Sequence, residues 1–487
     1  MADTDDAWSS NSNEAVVLSL VTPATAGLNT ITSFNPQFTY SIFGEDERIF
    51  GYKNLKISLR YHAADMRPNL KITYGKIFKA TGDVEPTDIK EALSGLLPEV
   101  SFAKESEYSA AITGLSRDWT PPGTLLTTLK GKDAQYEIWH GSLSDPAIMQ
   151  LLKRIQILVS FFIEGGTPIE TEGEALDRWA VFFLYKKQAA ADAGDRCPYI
   201  FTGYSTVYRF FPLQRLTPPA SPSDQTSSTQ PPAKEDFELP KEVPFTEFPC
   251  RTRISQFIIL PPFQGKGNGA RLYKAIFQHY LESPQTFEIT VEDPNEAFDE
   301  LRDLSDIEYL RSDPDFSNLR INTSVITKEK GPVPKDIVDG EALEKMRLKH
   351  KMAPRQFYRV VEMHLMSTLA DAVRPEIDIE SLSSSKASKK VATKQEEHEY
   401  KLWKLFVKQR LYRHNRDLLG QLEKEERIDK LEEALSGVEL EYARLLAAAD
   451  SRRKKASSPS ITNGKRKLDD TGEKDQSSSK KARVEDA

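Results

Sequence analysis

Cysteine is almost missing from this 487-residue sequence, with Cys197 and Cys250 as the only two. That excludes a disulfide scaffold and every Cys-rich zinc site, leaving two structural thiols or at most one bridge. Long apolar runs are missing too. The best, residues 155–163 within LKRIQILVSFFIEGG, falls far short of the roughly 18 residues that a membrane span needs, so no membrane contact is expected. The start, MADTDDAWSSNSN, has neither the basic head and apolar middle of a secretion signal nor the arginines of an organelle import signal, and a place in cytoplasm or nucleus is expected. The 7 histidines show no ligand spacing, and no G-x-S-x-G or P-loop occurs, so neither a metal nor a hydrolase site is expected.

Apolar residues make up 39% of the chain and charged residues 29%, a soluble composition somewhat poor in apolar residues, as expected if part of it forms no core. At about 100–200 residues per domain, the length allows two to four domains. The net charge is −7, yet residues 450–487 hold 11 Lys or Arg against 7 Asp or Glu. The rest is therefore the more acidic part, which argues against direct nucleic-acid binding and permits a basic partner.

Composition also divides the chain. Residues 1–14 and the charged tail 450–487 read as disordered, and so does the Pro-rich stretch 216–245 (LTPPASPSDQTSSTQPPAKEDFELPKEVPF). Between 15 and 145, VVLSLV, FTYSIF, LKISLRYH and LKITYGKIF alternate like strands, with DIKEALSGLL as a helix, giving a first α/β unit. Residues 146–310 form a second, interrupted by the Pro-rich insertion. It begins with one helix, AIMQLLKRIQILVSFFIEGG, and continues as WAVFFLYKK, YIFTGYSTVYRFF and RISQFIIL, successive strands with no helix between them, hence an antiparallel meander. A helical part spans 311–375, a Ser/Lys linker 376–396 and one long helix 397–449. In that helix Ile428, Leu431, Leu435, Val438, Tyr442 and Leu445 form a short heptad stripe, suited equally to the protein's own body or to a partner coiled coil.

The chemistry concentrates in RISQFIILPPFQGKGNGARLYKAIFQHYLES and FEITVEDPNEAF. The spacing puts Leu272, Ile276 and Tyr280 on one helical face, with Tyr273, Phe277 and Leu281 beside them. Gly265, Gly267 and Gly269 ahead of that helix let backbone N–H groups converge on a phosphate, aided by the helix dipole. Two readings compete. As a dinucleotide fingerprint, Gly265, Gly267 and Ala270 fit G-x-G-x-x-A, with Glu292 and Asp293 as ribose ligands of a nicotinamide cofactor. Against this stand the antiparallel strands before the loop and the four residues, Pro261 to Gln264, between strand and first glycine.

Read as Gln264-x-x-Gly267-x-Gly269, the turn resembles the acetyl-CoA pyrophosphate loop of the GCN5-related N-acetyltransferase superfamily. The longer strings QFIILPPFQGKGNGARLY and ITVEDPNEAF, with FGEDERIFGYKNLKI, STVYRFF and APRQFYRVVEMHLM, resemble the type B histone acetyltransferase catalytic subunit family over residues 15–370. The fold implied is mixed α+β, a GCN5-related N-acetyltransferase fold with an N-terminal α/β recognition domain and a C-terminal helical part. The resemblance implies acetyl-CoA as cosubstrate, bound by Phe257, Ile258, Ile259, Gln264, Gly265, Lys266, Gly267, Asn268, Gly269 and Ala270, with Asn295 nearby. Its substrate would be free, newly made histone, chiefly the N-terminal tail of histone four, contacted by Glu45, Asp46 and Glu47 and by Tyr208, Arg209 and Phe210. A WD-repeat histone-binding subunit is the implied partner.

A lysine ammonium attacks a thioester only once deprotonated, which calls for a carboxylate or a relayed water. Glu292 is the expected base, its apolar neighbours Ile289 and Val291 raising its affinity for a proton by desolvation. Asp293 and Asp177 are the further catalytic candidates. A backbone N–H from Phe257 to Ile259 would meet the charge developing on the thioester oxygen. Attack is expected to be direct, because Cys250 has no evident base. The alternative of another class is a non-catalytic histone-binding scaffold. In the tail, GKRKLDD and SKKARV look like a bipartite nuclear import signal.

Overall fold

The computed structural model describes residues 8–211, 248–327, 334–375 and 391–457, apart from positions 26, 83, 132–133, 174, 190–193 and 195. The Pro-rich insertion, most of the Ser/Lys linker and both basic clusters of the tail lie outside the described residues.

The architecture is mixed α/β. In the N-terminal part β1 (Val16–Ala24), β2 (Gly27–Phe34), β3 (Lys56–His62) and β4 (Pro68–Thr73) form a sheet of order β2-β1-β3-β4, with β1 and β3 parallel. The central sheet is built from β5 (Thr124–Lys130), β6 (Gln135–Ser142), β7 (Trp179–Lys187), β8 (Tyr199–Phe210), β9 (Cys250–Ile259) and β10 (Thr286–Val291) in chain order. Every neighbouring pair is antiparallel except the last, β9 with β10. The expected meander is therefore present, and one parallel crossover closes it.

The crossover is helical because its apolar residues recur every third or fourth position. Of the named helices, α1 (Pro146–Ile155) and α2 (Ile157–Phe162) lie between β6 and β7, and α3 (Asn268–Glu282) joins β9 to β10. Helix α3 buries Leu272, Tyr273, Ile276, Phe277 and Tyr280, with Tyr280 edge-on to Phe182 of the central sheet and Tyr273 and Phe277 packed on Phe298 and Tyr309 of the helix that follows β10. Then follow α4 (Glu296–Leu310), α5 (Gly340–Lys349), α6 (Pro354–Thr368), α7 (Lys394–His414) and α8 (Lys424–Ser457). One apolar core runs from Val16 and Leu18 of the first sheet through Phe182 and Tyr204 of the second to Trp403 and Leu445 of the last helices. Among the described residues no helix is long and apolar enough to cross a membrane.

A buried ion cluster ties the end of β3 to α1. Asp65 accepts from Arg154 of α1 at 3.0 Å and lies 2.7 Å from His62 Nδ1, while the Asp65 carbonyl takes a second bond from the same guanidinium at 2.7 Å. The Phe201 N–H of β8 donates to Ala63 O at 2.7 Å, stitching backbone to backbone beside it.

Several expectations need correction. FTYSIF is not a strand: Tyr40–Phe43 is a single helical turn, fixed by backbone bonds from Gln37 and Phe38 to Phe161 O and from Thr39 to the Glu47 carboxylate. Residues 8–14 have a fixed structure, since Ser9–Asn11 pairs with Arg48–Phe50 and Trp8 packs edge-on against Phe78 with Lys53 above its ring. The first helix is broken at Gln156, whose side-chain amide pairs with both backbone groups of Ile169. The long helix is an antiparallel hairpin. Tyr400 of α7 bonds Glu439 of α8 at 2.6 Å and Lys408 pairs with Glu432, while α8 runs on to Ser457. The heptad stripe faces the protein's own body: Leu435, Tyr442 and Leu445 are buried, and only Ile428 at its start is exposed.

Candidate active site

Strands β9 and β10 stay paired only as far as Ile254 opposite Val291, where the Glu292 N–H still reaches Ile254 O at 2.9 Å. Beyond that β9 runs on to Ile259, and the two strands part. A bulge coincides with the parting: Val207 of β8 faces Ile254 and Ser205 faces Phe257, so β9 carries one extra residue there. Such a bulge reverses which backbone groups face which neighbour. After it, the Gln256 and Leu260 N–H groups point to β8, bonding Thr206 Oγ1 at 3.0 Å and Thr202 O at 3.0 Å. Alternation then turns the N–H groups of Phe257 and Ile259 toward the opening that β10 has left. In agreement, Ile259 O accepts from the Gln264 side chain at 2.7 Å on that side.

The loop after β9 lies at the mouth of this opening. Gln264 through Gly267 are exposed, Gly265 and Gly267 hold φ of 69° and 77°, and α3 starts at Asn268. A side chain at either glycine would be strained in this left-handed region. The loop is held from within the protein. Asn268 Nδ2 donates to Phe263 O at 2.9 Å, and Arg271 donates to Lys266 O at 3.0 Å and to Asn268 Oδ1 at 2.7 Å. A Cβ on Gly269 would come within 2.5 Å of the Leu301 side chain, so glycine there lets α3 and α4 approach. The first helical turn leaves its N–H groups without intrahelical acceptors, and the helix dipole adds positive potential. Such a loop ahead of a helix start is suited to an anion. Phe257 is half-buried, edge-on to Phe298 of α4 at 4.9 Å, while Ile258 and Ile259 are buried; of these two only Ile259 turns its backbone to the opening, and the Ile258 backbone faces β8, against the expectation that both contact the cofactor. Asn295 caps α4 by accepting the Phe298 N–H at 2.9 Å, so its side chain is already engaged.

Glu292 sits where the strands part. Its Oε2 accepts from Ser255 Oγ at 2.6 Å, and its Oε1 lies 3.6 Å from the Arg253 guanidinium. The apolar burial expected from Ile289 and Val291 is not present: the Glu292 side chain is 44% exposed, because alternation and the strand end carry it away from the core. Asp293 follows with φ of 32° and is exposed. Asp177 precedes β7, where its carbonyl accepts from Arg209 at 2.6 Å. Register places Trp179, Tyr208, Arg253 and Thr290 in one row across four strands, on the half-exposed side of the sheet. Tyr208 packs on Trp179 with ring centroids 4.8 Å apart.

The substrate candidates are only partly brought together. Tyr208 and Phe210 share one face of β8, with Phe210 exposed, but alternation sends Arg209 to the other. Glu45 and Asp46 are exposed at a turn tip. Glu47 belongs to the turn's framework: with φ of 50°, it accepts from Asn13 Nδ2 at 2.5 Å and from the Thr39 N–H at 2.7 Å. The sequence reading missed Ser255, Arg253 and Trp179. Their signal was register, which lies in strand pairing and not in one stretch of sequence.

Burial pushes the Cys250 thiol up, outweighing the Thr252 and Thr286 hydroxyls and the charges of Arg209 and Lys351, which pull it down. A thiol raised in this way is a poor nucleophile near neutral pH.

Residues 8–164 match the family model described as histone acetyl transferase HAT1 N-terminus, and residues 315–370 the one described as fungal HAT1, C-terminal. A solved aminoglycoside acetyltransferase from an uncultured soil metagenomic sample is 14% identical with a TM-score of 0.20, covering 41% of this chain and 95% of its own, too distant to bear on the reading. Histone acetyltransferase type B catalytic subunits are far closer. That of Pyricularia oryzae is 52% identical and that of Gibberella zeae 50%, each covering 99% of both chains. The Neurospora crassa protein is 47% identical with the same coverage. Such identity over nearly the whole length establishes that the chain belongs to the histone acetyltransferase type B catalytic subunit family, a family of acyltransferases.

Proposed function

We propose that the protein transfers the acetyl group of acetyl-CoA to lysine side chains on the N-terminal tail of free, newly made histone, histone four first, by direct attack within a ternary complex. The observation that carries this reading is the opening between β9 and β10, with the glycine cradle at its mouth and the Glu292 carboxylate where the strands part. The cradle residues Gly265 to Ala270 would hold the pyrophosphate through backbone N–H groups. Phe257 and Ile259 N–H groups would direct the thioester end along β9.

In the reaction Glu292 takes a proton from the substrate ammonium, and the freed amine attacks the thioester carbonyl carbon. The carbonyl oxygen gains negative charge, which the inward N–H of Phe257 or Ile259 stabilises. The C–S bond then breaks, the attacking nitrogen sheds its extra proton, the departing thiolate of CoA takes up one in exchange, and the amide remains on lysine. Glu292 is open to solvent, so its proton can pass to water. Asp293, the next residue along the chain, and Asp177, just before β7, remain the further catalytic candidates. Tyr208, Phe210 and Trp179 would flank an extended peptide, and Glu45 and Asp46 would attract its lysines. Assembly with a WD-repeat histone-binding subunit and passage between cytoplasm and nucleus belong to the same proposal.

The test is turnover of acetyl-CoA by purified protein on a histone four tail peptide, with the acetylated residue located by mass spectrometry. Acetyl-lysine on the peptide is the expected product. Neither transfer nor acetyl-CoA binding would instead leave a histone-binding scaffold.

A further inference from the structure

We propose that Ser255 is a positioning residue for Glu292, its hydroxyl holding one carboxylate oxygen so that the other faces the opening. The inference rests on the reading of Glu292 as base. The contact is 2.6 Å from Ser255 Oγ to Glu292 Oε2, between residues 37 apart in sequence. Ser255 lies in the bulge itself, between Ile254, which faces Val207, and Phe257, which faces Ser205.

The bulge is pinned from the opposite face. Gln256 gives its N–H to Thr206 Oγ1 at 3.0 Å and its side-chain amide to Thr167 O at 2.9 Å. Glu292 is pinned by its own N–H on Ile254 O at 2.9 Å. Both backbones are thus fixed before the side chains meet, and one hydroxyl suffices to select a carboxylate rotamer. Oε1 is ion-paired with the half-exposed Arg253 guanidinium at 3.6 Å, too long for a hydrogen bond, and is the oxygen we assign to the substrate ammonium. A solvent-exposed Ser–Glu bond adds little to folding stability. Its place at the parting of the strands gives it a different value, because a base must sit within hydrogen-bond reach of the proton it takes.

The test compares Ser255→Ala, Ser255→Thr and Glu292→Gln with the wild type, measuring kcat, both KM values and thermal unfolding. Ser255→Ala is expected to lower kcat by about tenfold, with both KM values and the unfolding temperature kept, as loss of one charge-assisted bond acting on chemistry alone would do. Ser255→Thr, which restores the hydroxyl, is expected to return kcat to within about twofold of wild type. Wild-type kcat in Ser255→Ala, a change in KM alone, or a loss that Thr does not repair would overturn the proposal while Glu292→Gln remained inactive. Full activity in Glu292→Gln would remove the base reading and this inference with it.

Discussion

Asp65 to Asn is a near-isosteric change that removes one buried charge between the end of β3 and α1. Asp65 and Arg154 each keep only 8% of their side-chain surface, and Arg154 reaches both the carboxylate and the carbonyl of residue 65. Burial alone would raise the Asp65 carboxyl, but the bond from His62 and the charges of His62 and Arg154 outweigh it and hold the group at about 2. Removing one partner of a buried pair strands the other, which costs about 3–5 kcal/mol. At about 2 °C per kcal/mol for a large domain, the unfolding temperature should fall by roughly 6–10 °C. The assay is thermal unfolding near neutral pH, with acetyl transfer measured well below the transition. Because the folded carboxyl is depressed, its contribution is complete above the unfolded value, about 3.9, and disappears as pH falls through the folded value. The gap between wild type and variant should therefore narrow from about pH 4 down to about pH 2. An unfolding temperature within about 1 °C of wild type at neutral pH would refute the assignment of Asp65 and Arg154 as a costly buried pair.

Three further outcomes are expected. Gly267→Ala forces a side chain into φ of 77° at the cradle, at about 1 kcal/mol of strain. It should weaken acetyl-CoA several-fold by calorimetry and leave histone-peptide KM unchanged; equal cofactor affinity would remove the loop from the binding site. Cys250→Ala should keep turnover within about threefold of wild type, because a thiol raised by burial is a poor nucleophile; near-complete loss with retained folding would point to a covalent relay. Replacing Lys465, Arg466, Lys467, Lys480 and Lys481 by Ala should reduce nuclear accumulation of a tagged protein, and an unchanged distribution would reject the tail as the sole import signal.

Much of the site could be read in advance because its signals are local. Glycines at 265, 267 and 269 before a stripe of Leu272, Ile276 and Tyr280 announce a loop and helix whatever surrounds them. Glu292 at a strand end is equally local. Ser255 and Arg253 were not legible, since they matter only through the register of β9 against β10 and a bulge set by β8. Glu47 shows the reverse error: an acidic run suggested a solvated binding tip, but tertiary bonds to Asn13 and Thr39 turn one of its members inward. Residues 8–14 looked unstructured for the same reason, as Trp8 finds its partners Phe78 and Lys53 far along the chain. The break between α7 and α8 was missed: Asn415 C-caps α7 and Gly420 ends the short turn Arg416–Leu419 after it, but charge on either side gave the appearance of one continuous helix.

The central claim is that Glu292 takes the proton from the attacking lysine. Glu292→Gln keeps the shape and can still accept from Ser255 Oγ, so cofactor binding and folding should persist. The measurement is acetyl transfer to a histone four tail peptide in a single turnover, alongside calorimetric acetyl-CoA affinity for the same preparations. The account predicts at least about a hundredfold loss of transfer at unchanged affinity, as expected for removal of a general base. Transfer at the wild-type rate would contradict it and pass the role to Asp293 or Asp177.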